Sequence, residues 1–250
     1  WGVTPDCSKL VKTVSDFLLK SVVGKPAIAG EYKGEQRKLG LVYPESPAYQ
    51  QCGDQLQSLL SDAGQPFADV RQYRLSLDGI PPDARDIASA FANQGITSVV
   101  LGSDPLLPYF MTATAEQSNW DPEWISTGIA FQDTDFAGQL YEPAQWKNSF
   151  GVSMLGQTLP ARSGFGYAAY RSIDDTTSPT ELMVDAIYYQ LYVLSIGIHM
   201  AGPNLTPETF AQGMRAYKSA EPVGPAGAWG FGDGDFTAPN DSRIVFWDPN

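Results

Sequence analysis

An α/β fold, with a parallel sheet held between two layers of helices, is what this sequence predicts. Three observations carry that expectation. The runs "KLGLVY" and "ITSVVLG" are apolar without alternation, as strands covered on both faces require. Segments with apolar residues at three-and-four spacing separate such runs. Gly64 and Gly95 stand just beyond two of those segments, where a left-handed residue stops a helix.

Taken in order, "CSKLVKTVSDFLLKSVVG" puts Leu10, Val11, Val14, Phe17, Leu18 and Val22 on one helical face, and Gly24 ends it. "KLGLVY" is a buried strand, and Cys52, Leu56, Leu59, Leu60 and Ala63 mark a helix from Ala48 to Ala63. The period then repeats: strand "DVRQYRLSL", helix "DARDIASAFANQG", strand "ITSVVLG", helix "DPLLPYFMTATAEQS", strand "EWISTG". Strands alternating with helices mean βαβ units. Beyond Gly128 the pattern loosens, with one short helix expected near Phe136 and a strand at "FGVSML". Two consecutive helices follow, one capped by Ser178 with Glu181 and one, less regularly, by Thr206 with Glu208. A turn-rich tail ends in a strand at "RIVFW".

Composition narrows the function. The 250 residues carry 16 Lys and Arg against 28 Asp and Glu, a formal charge of −12. Nucleic-acid binding draws on clustered cations at phosphates, so a nucleic-acid partner is set aside. Leu182–Gly202 is about long enough to span a bilayer, but Asp185, Gln190 and His199 interrupt it, and it reads as a core helix. The opening Trp1-Gly-Val-Thr-Pro has neither the basic nor the apolar region of a signal peptide. Cys7 and Cys52 lack the spacing of a zinc or C-x-x-C redox site. They are either two buried thiols or a disulfide, which would imply an oxidising compartment.

Most catalytic devices find no support. A nucleophilic triad needs a base, and His199, the single histidine, sits on the apolar segment with no G-x-S-x-G elbow. "GFGY" at Gly164 and "WGFGDGDF" at Trp229 read as turns preceding no helix, without the P-loop G-K-[ST]. Asp233, Asp235 and Asp241 do not fit an EF-hand, so no metal and no cofactor are expected. Asp133 and Asp135 in "FQDTDF" leave a carboxylate hydrolase as a weak enzyme reading against helix capping.

What remains is the carboxyl edge of the sheet, where ligands of open α/β sheets bind. Glu45, Ser46 and Tyr49 follow the first strand; Gly102, Ser103 and Asp104 the third; Gly128, Gln132 and Asp133 the fourth. Ser46 and Ser103 stand at helix starts, where free amides receive an anion or where the serines serve as caps. Tyr49 offers a flat apolar face and a donor.

The stretches "RKLGLVYPESPAYQQCGDQLQSLLSDAG", "ITSVVLGSDPLLPYFMTATAEQSNWDPEWISTG" and "WGFGDGDFTAPNDSRIVFWDPN" resemble substrate-binding proteins of ABC importers of the branched-chain amino acid type, which have the type I periplasmic-binding fold, and particularly actinobacterial members. The resemblance implies a second lobe over residues 1–175 and a return segment over 176–250, with the family's signal and most of its first lobe preceding the part that corresponds to Trp1. It places Tyr49 where the family packs a tyrosine on its ligand. "GSDP" puts Ser103 and Asp104 where the family carries an aromatic residue. The acid that pairs with the ligand's ammonium, expected near "STGIAF", is absent from Thr127 and Gly128, and Asp133 stands in from the same loop. Ligand-binding residues are therefore expected at Ser46, Tyr49, Ser103, Asp104, Gln132 and Asp133. The resemblance further implies a non-enzymatic, extracytoplasmic protein, lipid-anchored in full length. It would capture a small polar molecule, such as an amino acid or amide, for a membrane permease, with a missing first lobe or complementary chain as partner. A ligand-sensing domain of a receptor or regulator is the alternative with the same fold.

Overall fold

The computed structural model describes residues 1–155, 161–217, 228 and 230–248. The chain forms two compact units, Cys7–Ser153 with Ile244–Asn250, and Trp1–Asp6 with Met154–Arg243.

The first unit is built on a sheet ordered β2-β1-β3-β4-β5-β6, with the first five strands parallel. Its strands are β1 (Leu39–Pro44), β2 (Asp69–Tyr73), β3 (Ser98–Leu101), β4 (Glu123–Ser126), β5 (Ser149–Ser153) and β6 (Arg243–Phe246). β2 stops four residues short of "DVRQYRLSL". The helices of this unit are α1 (Cys7–Phe17), α2 (Pro47–Asp62), α3 (Ile80–Asn93), α4 (Leu106–Ser118) and the single turns α5 (Asp135–Gly138) and α6 (Pro143–Trp146). α1 runs on through a π-helical turn, Leu18–Val22.

Side chains alternate across the sheet, and each face closes one core. Val42, Val99, Leu101 and Trp124 meet Ile87, Phe91, Leu107 and Met111 of α3 and α4. Leu41, Tyr43, Val100 and Ile125 meet Leu10, Val14, Leu56 and Leu60 of α1 and α2. Gly53 lets α2 cross the Tyr43 ring, since a Cβ there would lie 2.6 Å from it. Cys7 and Cys52 form a disulfide with Cα atoms 5.6 Å apart, joining the start of α1 to α2. In the chain-entropy account a loop of this length contributes about 4 kcal/mol.

At the amino edge of the strands Glu123 is fully buried, and the sequence reading did not single it out. Its Oε2 accepts from Arg37 Nε at 2.7 Å and Ser98 Oγ at 2.7 Å. Its Oε1 accepts from Arg37 Nη2 at 3.0 Å and the Ile28 amide at 2.5 Å. Every lone pair facing the interior is thereby answered, as a buried charge requires.

The second unit holds α7 (Phe165–Arg171), α8 (Glu181–Ala201) and α9 (Pro207–Ala216). α8 and α9 approach closely because Gly197 faces Phe210 and Gly213 faces Met200. Val3, Tyr189, Val193, Met214 and Ala238 form its core, with the Trp1 ring edge-on to Phe231 and Phe236.

Three local expectations are corrected here. "GFGY" does precede a helix: Gly164 lies at the cap of α7, and Asp185 on α8 accepts from the Gly166 amide at 2.7 Å. Ser178 does not cap α8, which starts after Thr180 with no side-chain cap bond. Thr206 does cap α9 in a capping box, with Thr209 rather than Glu208 as the reciprocal member. The "WGFGDGDF" stretch does turn, at Gly232–Asp235, where the Asp235 amide donates to the Gly232 carbonyl at 3.2 Å, while Trp229 itself, the end of the "TPETFAQGMRAYKS" helix and the last two residues of "WDPN" lie outside the described residues.

Candidate functional site

β1 is flanked by β2 on one side and β3 on the other, so the chain reverses its direction of travel across the sheet between β1 and β3. At such a switch point the loops leave in opposite directions and a crevice opens at the carboxyl edge. The loops after β1, β3 and β4 meet there.

Ser103 and Gln132 join two of these loops. Both are buried, and Gln132 Nε2 donates to Ser103 Oγ at 2.9 Å and, more closely, to the Ser103 carbonyl. A longer bond of 3.4 Å reaches the Asp104 carbonyl. Gln132 thus ties the β4 loop to the β3 loop, and its Oε1 is buried with no hydrogen-bond partner. Ser103 does not open its helix; it serves as this acceptor instead.

Asp104 is a structural hub. Tyr73 Oη donates a short hydrogen bond to Asp104 Oδ2, the Asp104 amide donates back to Tyr73 Oη at 3.0 Å, and Asp104 Oδ1 accepts from the Leu106 amide at 2.7 Å. The first amide of α4, that of Leu106, is therefore engaged by the Asp104 carboxylate from the residue before the Pro105 cap position. Burial, then the Asp104 hydrogen bond and charge, push the Tyr73 hydroxyl pKa far up. Burial and the same charge raise Tyr49 and Tyr141. Three phenols are held neutral around one carboxylate.

Tyr49 stands on the first turn of α2, half-buried against the α1–α2 core. Ser46 occupies the cap position in extended backbone, yet its hydroxyl makes no cap bond. The capping reading therefore fails for Ser46, and with Pro47 at the first turn the Ala48 and Tyr49 amides carry the open positive end of the helix. Asp133 is half-buried beside Gly128, whose φ of +76° turns the chain at the end of β4; a Cβ on Gly128 would lie 3.4 Å from the Asp133 carboxylate. Asp135 lies in the first turn of α5, capped by Thr134, away from any paired-carboxylate geometry the structure records. His199 lies exposed in the last turn of α8.

Ser46 and Tyr49 share one loop-helix junction; Ser103, Asp104 and Gln132 are hydrogen-bonded together; Asp133 follows in the same β4 loop. Tyr73 and Tyr141 were missed because neither follows a strand in the way a ligand loop does, and a pairing between β2 and the β3 loop leaves no local signal.

No protein family and no curated protein sequence matches the chain. Solved structures do resemble it. An extracellular ligand-binding receptor from Rhodopseudomonas palustris superposes with a TM-score of 0.64 at 11% identity, covering 99% of this chain and 67% of its own. A fatty acid ABC transporter substrate-binding protein from Thermomonospora curvata gives 0.68 at 16%, covering 99% and 60%. A leucine binding protein from Thermotoga maritima gives 0.65 at 14%, covering 99% and 64%. The chain thus spans between 60% and 67% of the length of these three. Their common fold, that of the periplasmic-binding proteins of ABC transporters, is the fold of this chain.

Proposed function

We propose that the chain is a solute-binding protein, or a large part of one, that captures a small polar molecule outside the cytoplasm and delivers it to an ABC permease. The observation that carries this reading is the convergence of three strand-end loops at the β1/β3 switch point, with Tyr49, Ser103, Asp104, Gln132 and Asp133 at one edge and no nucleophile–base pair among them. The open helix end at Ser46–Tyr49 suits a carboxylate or amide oxygen. Gln132 Oε1, buried without a partner, suits a ligand N–H, because an unmet buried acceptor costs about 1–3 kcal/mol that a donor would recover. The disulfide agrees with an oxidising compartment. The solved structures support the role by fold alone.

The neighbours are longer, and polypeptide completing a first lobe is the proposed partner of this chain, closing over the ligand by a population shift. Such a chain by itself supplies at most half of the contacts. Isothermal titration with amino acids, amides and short diols should then show binding weaker than micromolar. Micromolar affinity would contradict the half-site, and complete absence of saturable binding in an NMR titration of the same panel would contradict solute capture.

A further inference from the structure

A crevice of about 30 Å³ inside the Cys7–Ser153 unit has Tyr49 among its lining residues. Leu10 and Val14 of α1, Leu56 of α2 and Leu41 of β1 line it together with Tyr49 and Ile129, the last two being only partly buried. Gly102 and Thr127, the residues just beyond the carboxyl ends of β3 and β4, also line it, so it opens at the same edge as the loops of the candidate site.

The Thr127 and Tyr43 hydroxyls that border it are already committed. Thr127 Oγ1 donates to the Leu101 carbonyl at 2.7 Å, and Tyr43 Oη accepts from Gln57 Nε2 at 3.2 Å while donating to Asp54 at 3.3 Å. A water needs two to four polar partners to stay in a cavity, and apolar cavities remain dry and take apolar guests. The space matches about two water-sized guests, hence a hydrocarbon terminus of about two or three carbons. The disulfide holds α1 against α2 beside it, since Cys52 is itself a lining residue, and this prevents the walls from collapsing inward freely.

We infer that this crevice is a subsite for the apolar end of the solute, so that the ligand is a small amphiphile with a short alkyl terminus beside Tyr49 and its polar head among the strand-end loops. The inference rests on the solute-binding reading above and adds the chemical class of ligand. Neither the Tyr49 platform nor the loop residues by themselves call for an apolar group; the dry space between α1 and α2 does.

Xenon tests the space and a homologous series tests its use. Xenon dissolved over the isotope-labelled chain should shift the methyl signals of Leu10, Val14 and Leu56 saturably. Leu10→Phe and Val14→Leu, each of which fills the crevice from a different position, should abolish that shift, and either variant alone suffices if the other fails to fold. Straight-chain amides from acetamide to hexanamide should bind with affinity rising about fourfold per added CH₂ as far as butanamide and levelling off beyond it. The rise should disappear in the filled variant. No xenon shift, or one that both filled variants retain, overturns the inference while leaving solute capture standing. Xenon binding with chain-length-independent amide affinity overturns it as well. Failure of every solute in the panel, with xenon bound, removes the solute-binding reading and this inference with it.

Discussion

Glu123 and Arg37 are 86 positions apart and meet as a fully enclosed ion pair, which makes them the most consequential side chains outside the candidate site. Glu123→Gln leaves the buried Arg37 without the carboxylate that neutralises it. Breaking such a pair from one side costs about 3–5 kcal/mol. Urea unfolding should show a loss of that size, and a loss below about 1 kcal/mol would mean solvent reaches the pair. The tyrosines around Asp104 make a second prediction at this scale. Their folded pKa values are raised because burial disfavours the phenolate, with the charge of Asp104 adding to it. In the unfolded chain tyrosine titrates near 10, so the stabilisation is intact below about pH 10 and is lost as pH rises above it. Tyr73→Phe should cost about 1–2 kcal/mol at neutral pH. It should also flatten the alkaline decline in melting temperature, and an unchanged decline would assign the pH dependence to other groups.

Elements were legible in the sequence where hydrophobic period and stop signals agreed. β1 and β3 lie where unbroken apolar runs put them and helices α1 to α4 where three-and-four spacing does, because each is buried on the side its pattern demands; β4 lies where the strand–helix alternation places it. Ser178–Glu181 misled because a capping-box pattern is a local signal, and α8 starts after Thr180 regardless. α6 and α7 escaped notice because a single turn and a helix with glycine in its second position show no period. The candidate site was half legible: strand-end loops follow from the βαβ order, but the Gln132–Ser103 bridge joins residues 29 apart and no pattern announces it. The disulfide is the element-scale test, since it ties α1 to α2. Mass spectrometry without reductant should recover the Cys7–Cys52 peptide pair, and replacing both cysteines with serine should lower stability by about 4 kcal/mol. Two free alkylated thiols in protein made in an oxidising environment would contradict the pairing.

On the scale of the whole molecule, α8 presents an unanswered apolar seam. Met183, Ile187, Leu191, Leu194 and Ile198 are each between 42% and 58% exposed. At 3.6 residues per turn they fall within about 80° of the helix circumference. Gln190 flanks them on one side and Ser195 and His199 on the other, a polar rim around an apolar strip. Polypeptide completing a first lobe is the proposed cover. Because the seam is exposed, Leu191→Glu combined with Leu194→Glu should change the stability of the 250-residue chain by no more than about 0.5 kcal/mol per site. It should also reduce binding of a hydrophobic dye, and a larger loss of stability would place the seam inside this chain's own core. The central claim, that small solutes are held by the strand-end loops at the β1/β3 switch point, is tested most directly by amide NMR during titration with the amino acid and amide panel. The account predicts saturable shifts at Tyr49, Ser103, Gly128 and Gln132 that weaken in Tyr49→Ala; saturable shifts confined to other parts of the chain, or unaffected by that substitution, would contradict it.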